Sequence, residues 1–413
     1  MESFAKIYLA LAACVVLGAA LPVQQQYTTL KESAPEVLFK ADNYSTVLLE
    51  CATENNDQNV EYSWHKNGKP FDWVAAGNIG QRPGEGSIMF FNPQPTDEGI
   101  YQCFAKTSSG TASTRPIALK RTYITVPKVE TKEHTPVLGR PYKLECQIPE
   151  SYPKPTIVWK MQSRSDPSKV DTFLNQRITL SPDGNLWFSN VTEEDVNPSS
   201  NYVCMAQTPA AKGDVPLAQH YLKALVKSDK PNDGELEPQY LSKDVVAKVG
   251  EVTYLYCIFG GTPAGYPMDW AKDGKDVNGD EPGSRITRHS RTKGKRLMIK
   301  ETIVEDKGAY TCQVDNGVGK PQKHSIDVTV VSAPKFAQKP EKQMIAKDGQ
   351  DIKIPCLVTG IPAPTITWTH NAKAVDSTAV KDGLLTIKQA KKTNAGYYAC
   401  KASNEHGDLY TET

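Results

Sequence analysis

Short alternations of apolar and polar residues run along most of this chain. Val47, Leu49 and Cys51 face one way, with Leu48 and Glu50 between them. Tyr142, Leu144 and Cys146 repeat the pattern, as do Ile352, Ile354 and Cys356. A period of two over stretches this short predicts β-strands with one face in a core. Apolar pairs at alternate positions recur before later cysteines: Ile88 with Phe90, Leu186 with Phe188, Leu297 with Ile299, and Leu385 with Ile387. Asn67-Gly68 and Asp273-Gly274 predict tight hairpin turns. Helical periodicity is scarce, and 18 Tyr, 29 Pro and 28 Gly among 413 residues suit strands joined by turns.

One stretch departs from this pattern. Ile7 to Leu17 is a continuous apolar run after Lys6, followed by the small residues Gly18 and Ala20. It predicts a signal peptide over residues 1–20 and hence secretion. The run is shorter than the roughly 20 residues that span a bilayer. The polar C-terminus, SNEHGDLYTET, leads to no expectation of a membrane span or lipid anchor.

Beyond the leader there are eight cysteines, an even number, which in an exported chain implies disulfides. Taken in order, Cys51 and Cys103, Cys146 and Cys204, Cys257 and Cys312, and Cys356 and Cys400 are separated by 52, 58, 55 and 44 residues. Trp64, Trp159, Trp270 and Trp368 follow the first cysteine of each pair by 13, 13, 13 and 12 residues. Tyr101, Tyr202, Tyr310 and Tyr398 each stand two residues before the second. In a two-sheet sandwich the cysteines staple the sheets, the tryptophan packs on the staple, and the tyrosine hydroxyl ties back to the backbone.

These four repeats resemble immunoglobulin domains of the I-set or C2 kind. DEGIYQC and DKGAYTC carry that family's D-x-G-x-Y-x-C signature, while NAGYYAC has Asn394 for the Asp. The second repeat reads VNPSSNYVC, with Pro198 in the Asp position, which predicts a different turn there. The fold class expected is all-β: four tandem immunoglobulin-like sandwiches over residues 21–122, 123–228, 238–332 and 333–413. Residues 229–237 form a polar linker with a span of at most about 30 Å. That length lets the chain double back into a horseshoe, domain three beside two and four beside one. The last strand, DLYTET, is shorter than its counterpart QKHSIDVTVV, which suggests that a few residues follow.

The four-domain plan with a longer middle linker resembles the N-terminal part of neuroglian and contactin adhesion proteins, and the soluble insect immune proteins related to them. That resemblance implies a hemolymph protein of innate immunity that binds bacterial lipopolysaccharide and lipoteichoic acid. It also implies attachment to hemocyte surfaces, modulation of hemocyte adhesion, and self-association. The alternative is a homophilic adhesion or neural-guidance protein without a microbial ligand.

Charge and chemistry add limits. The 48 basic and 47 acidic residues nearly cancel, which argues against a nucleic-acid partner. Seven scattered histidines show no metal-ligand spacing, and no nucleophile motif is present, so neither metal, cofactor nor enzyme is expected. Asp276 to Glu281 lacks the glycine and bidentate acid of a calcium loop. Arg285, Arg288, Arg291, Lys293, Lys295, Arg296 and Lys300 form the densest basic run. Its ordinary reading is a solvated sheet edge. Its functional reading is an anion-binding patch, with Lys293-Gly294-Lys295 exposed at a hairpin tip and Arg285 available to pair with Asp306. Lys212, Gly213 and Asp214 resemble an integrin-binding tripeptide, although Gly-Asp is also common turn chemistry. Asn43 and Asn190 begin glycosylation sequons, expected to be exposed.

Overall fold

The computed structural model describes residues 27–41, 45–55, 59–171, 173–228, 234–263, 266–279, 281 and 283–413. The leader, Asn43 and most of the linker lie outside them. The described elements are strands and single-turn 3-10 helices, arranged as four two-sheet sandwiches. In domain one, Glu61–Lys66 lies beside Gly99–Thr107, which brings Trp64 opposite Cys103. The facing sheet pairs Thr46–Leu49 with Ile88–Phe91. The inward positions of that alternation, Val47, Leu49, Ile88 and Phe90, are buried.

Each sandwich is closed by one disulfide: Cys51–Cys103, Cys146–Cys204, Cys257–Cys312 and Cys356–Cys400. Closing loops of this length stabilises a domain by roughly 4 kcal/mol in the chain-entropy treatment. The buried tryptophans of the first three domains donate their indole N–H to the carbonyls of Gly86, Gly184 and Gly294. The tyrosine hydroxyls donate to the backbone oxygens of Asp97, Asp195, Asp306 and Asn394. In domain two the insertion moves the corner acid to Asp195, seven residues before Tyr202. There it pairs with Arg177 at 2.9 Å, much as Asp306 pairs with Arg285 at 2.7 Å in domain three.

Two local features were not legible as motifs. Asn371 and Ala372 form a third hairpin turn with φ of +48° and +64°, a left-handed geometry that strains Ala372. Domain two also buries a polar chain beside its tryptophan. Tyr142 O–H meets His134 Nδ1 at 2.8 Å, His134 Nε2 meets His220 Nδ1 at 2.9 Å, and His220 Nε2 donates to the Glu145 carbonyl at 2.9 Å. Neutral rings donating in one direction satisfy every nitrogen. Burial pushes the His220 pKa down to about 4.

The joins between domains differ. Strand Gln322–Gln338 is continuous, pairing with Gly308–Val314 in domain three and Leu357–Ile361 in domain four. Domains one and two meet at Thr122, between strands Ile117–Arg121 and Tyr123–Ile124. Beyond the linker the chain turns back, and domain two packs on three while one packs on four, as the hydrogen bonds below show.

Candidate binding surfaces at the domain junctions

The junction of domains two and three is close and polar. Gly261 N–H donates to the Ser189 carbonyl at 2.8 Å, and Gln239 Nε2 to the Phe188 carbonyl at 2.7 Å. Thr262 Oγ1 donates to the Gly139 carbonyl at 2.9 Å and lies 3.3 Å from Asn190 Nδ2. A Cβ at Gly260 would fall 2.5 Å from Pro141 Cγ and 2.9 Å from the Ser189 carbonyl, so only glycine allows this approach. Lys295 reaches across the seam and donates to the Gln176 carbonyl at 2.6 Å and Ser189 Oγ at 2.5 Å. It is 4% exposed. Burial, helped by the nearby Arg177 charge, lowers its pKa to about 8.

This placement corrects the reading of the basic run as one exposed patch. Gly294 is buried with its carbonyl on the Trp270 indole, and Lys295 is buried in the seam, so Lys293-Gly294-Lys295 is no exposed tip. Arg285 is held by Asp306, Arg288 reaches Asp269 at 3.1 Å, and Arg296 lies over the Tyr254 ring at 4.9 Å. Arg291, Lys293 and Lys300 are the exposed members. Asn190 is 8% exposed, contrary to the expectation for its sequon. In the tripeptide, Lys212, Gly213 and Asp214 are all exposed, and Asp214 accepts from Lys160 at 2.5 Å and Gln207 at 3.0 Å. Those bonds hold its carboxyl below the usual range.

Domains one and four meet around Ser113. Its N–H donates to Glu412 Oε1 at 2.8 Å, and its carbonyl accepts from the Tyr410 hydroxyl at 3.0 Å. Burial pushes the Glu412 pKa up to about 8. Thr28 N–H donates to the Tyr397 hydroxyl at 2.8 Å, and Thr111 N–H to Asn371 Oδ1 at 3.2 Å. The hairpin turn of domain four therefore also serves the junction. Tyr397 is buried with Ala105 and Ala112.

A cleft of about 1060 Å³ opens beside this contact. Phe336, Ile352, Ile354 and Ile387 contribute apolar walls, and Met344 and Ile345 are exposed on its side. Six exposed lysines line it: Lys31, Lys339, Lys342, Lys347, Lys391 and Lys392. Its origin is topological. In domains one, two and three the last strand pairs in parallel with an early one: Glu36–Phe39, Thr131–His134 and Val245–Lys248. In domain four, residues 339–350 form no strand, and the cleft lies between them and the sheet edge. Among the described residues no group of three or more His, Cys, Asp or Glu could hold a metal, and no helix is long and apolar enough to cross a membrane.

Four stapled sandwiches offering junction clefts and strand faces define a binding protein of the immunoglobulin superfamily. An immunoglobulin domain model matches residues 30–107 and 333–404, and an immunoglobulin I-set domain model matches 238–330. The chain is 52% identical to hemolin of Lonomia obliqua over 411 residues, covering 99% of this chain and 98% of that one. It is 53% identical to hemolin of Manduca sexta over the same shares. The chain belongs to the hemolin family. Neuroglian of Drosophila melanogaster is 35% identical over 92% of this chain, which spans 30% of that longer protein. The crystal structure of the insect immune protein hemolin, described as a new domain arrangement with implications for homophilic adhesion, matches at a TM-score of 0.88 and 50% identity. That match covers 94% of this chain and 99% of the other.

Proposed function

We propose that this chain is secreted into hemolymph and recognises bacterial surface amphiphiles, lipopolysaccharide and lipoteichoic acid, while modulating hemocyte adhesion. The supporting observation is the lysine-lined cleft between domains one and four. Apolar walls accept acyl chains, and ammonium groups meet phosphates at the mouth. It replaces the dispersed basic run of domain three as the leading site, with Arg291, Lys293 and Lys300 as a secondary anionic contact. No bond is made or broken.

Calorimetric titration with lipopolysaccharide tests this reading. Changing Lys339, Lys342, Lys391 and Lys392 to Ser should weaken binding at least tenfold, with the loss largest at low salt. Binding left intact by that variant would move the site elsewhere. No binding by either protein, with self-association on sedimentation, would favour the adhesion reading that the neuroglian likeness supports.

A further inference from the structure

Asn190 begins an Asn-Val-Thr sequon, yet its side chain lies in the seam between domains two and three, 8% exposed. Its Nδ2, the atom that would carry a glycan, lies 3.3 Å from Thr262 Oγ1 on the opposite domain. The backbones on either side are already in contact, through Gly261 N–H to the Ser189 carbonyl and through Gly260 against Pro141. No space for a sugar ring remains.

Packing does not explain the asparagine. Its one long hydrogen bond leaves Oδ1 without a partner among the described residues, an arrangement that costs stability in a buried seam.

We propose that Asn190 is a glycan acceptor, and that its modification excludes the closed packing of domain two on three. Oligosaccharide transfer from a polyprenyl-pyrophosphate donor forms a bond between Nδ2 and the anomeric carbon. The anomeric C–O bond to pyrophosphate breaks, and Nδ2 gives up one proton. The acceptor segment is reachable only before domain two folds, because Val191 is fully buried and Thr192 Oγ1 is bonded to Asp195. The decision is therefore made during synthesis. Chains modified at Asn190 keep domains two and three apart, and unmodified chains close, so one gene product is delivered in two shapes.

The test is glycopeptide mapping of protein secreted by insect cells, after size-exclusion separation of compact and extended species. Occupancy at Asn190 should be at least tenfold higher in the extended fraction, and small-angle scattering should show that fraction's larger radius of gyration. Mapping separates Asn190 from Asn43 and needs no variant. Asn190→Gln should remove the extended fraction, and Thr192→Ser, which keeps the sequon, should retain it. Equal occupancy in both fractions, no occupancy in either, or an extended fraction undiminished in Asn190→Gln would each overturn the proposal.

Discussion

Closure of the chain should be weakest near pH 8, and two residues on different seams set that minimum. Glu412 has a pKa of about 8 in the closed chain against an ordinary 4.5, because packing on domain one removes its carboxyl from water. The closed form thus binds the proton more tightly. Its contribution to closure is complete below pH 4.5 and is lost as pH rises towards 8. At one unit per 1.36 kcal/mol, the loss is about 3 kcal/mol by pH 7 and between about 4 and 5 above pH 8. Lys295 works in the opposite sense. Its pKa falls to about 8 from 10.5, so the open form holds the proton more tightly. Closure regains up to about 3 kcal/mol between pH 8 and 10.5 as the ammonium deprotonates. The assay is small-angle scattering in graded urea from pH 5.5 to 10, reading the urea concentration at which the chain opens. Glu412→Gln keeps an acceptor for Ser113 and should flatten the acid limb alone. Lys295→Met should flatten the alkaline limb alone. Wild-type limbs surviving unchanged in both variants would refute the reasoning.

Other outcomes follow from single contacts. Domain two should lose about 3 kcal/mol between pH 6.5 and 4, because His220 must stay neutral in its polar chain; urea melts at both ends of that range measure it. Gly110→Ala should separate domains one and four, since its Cβ would fall 2.2 Å from Asn371 Oδ1 at a φ of +139°; sedimentation velocity reads the more extended shape. Ala372→Gly should stabilise domain four by about 1 kcal/mol by relieving a left-handed residue, seen as a raised melting temperature. Arg177→Ala should destabilise domain two by about 3–5 kcal/mol, because Asp195 would be left buried and unpaired.

The sandwiches were legible because their determinants are local and repeated. A cysteine, a tryptophan some thirteen residues on and a tyrosine before the second cysteine leave little freedom. Domain two shows where such reading thins: Asp195 keeps the corner role from a shifted position that the alignment of VNPSSNYVC on its sister motifs hid. The junctions were far less legible. Lys295 looked like a solvated hairpin cation because nothing nearby in sequence marks Gln176 and Ser189 as its partners, more than a hundred residues away. Asn190 misled for the same reason. The cleft has no positive motif at all; it arises because residues 339–350 do not pair as their counterparts do. Lysines scattered over three segments become one surface only after folding.

The unbroken strand Gln322–Gln338 carries a mechanical consequence. Seventeen residues at about 3.3 Å each make a beam roughly 55 Å long, clamped in the sheets of two domains. A displacement of domain three is therefore passed to domain four through a shared strand. A few degrees of rotation at the seam of domains two and three becomes several ångströms at the far end, where Tyr410 meets Ser113. The contact at the tip is thereby a latch, and small disturbances at the Lys295 seam are read out as displacement at the opposite end of the molecule.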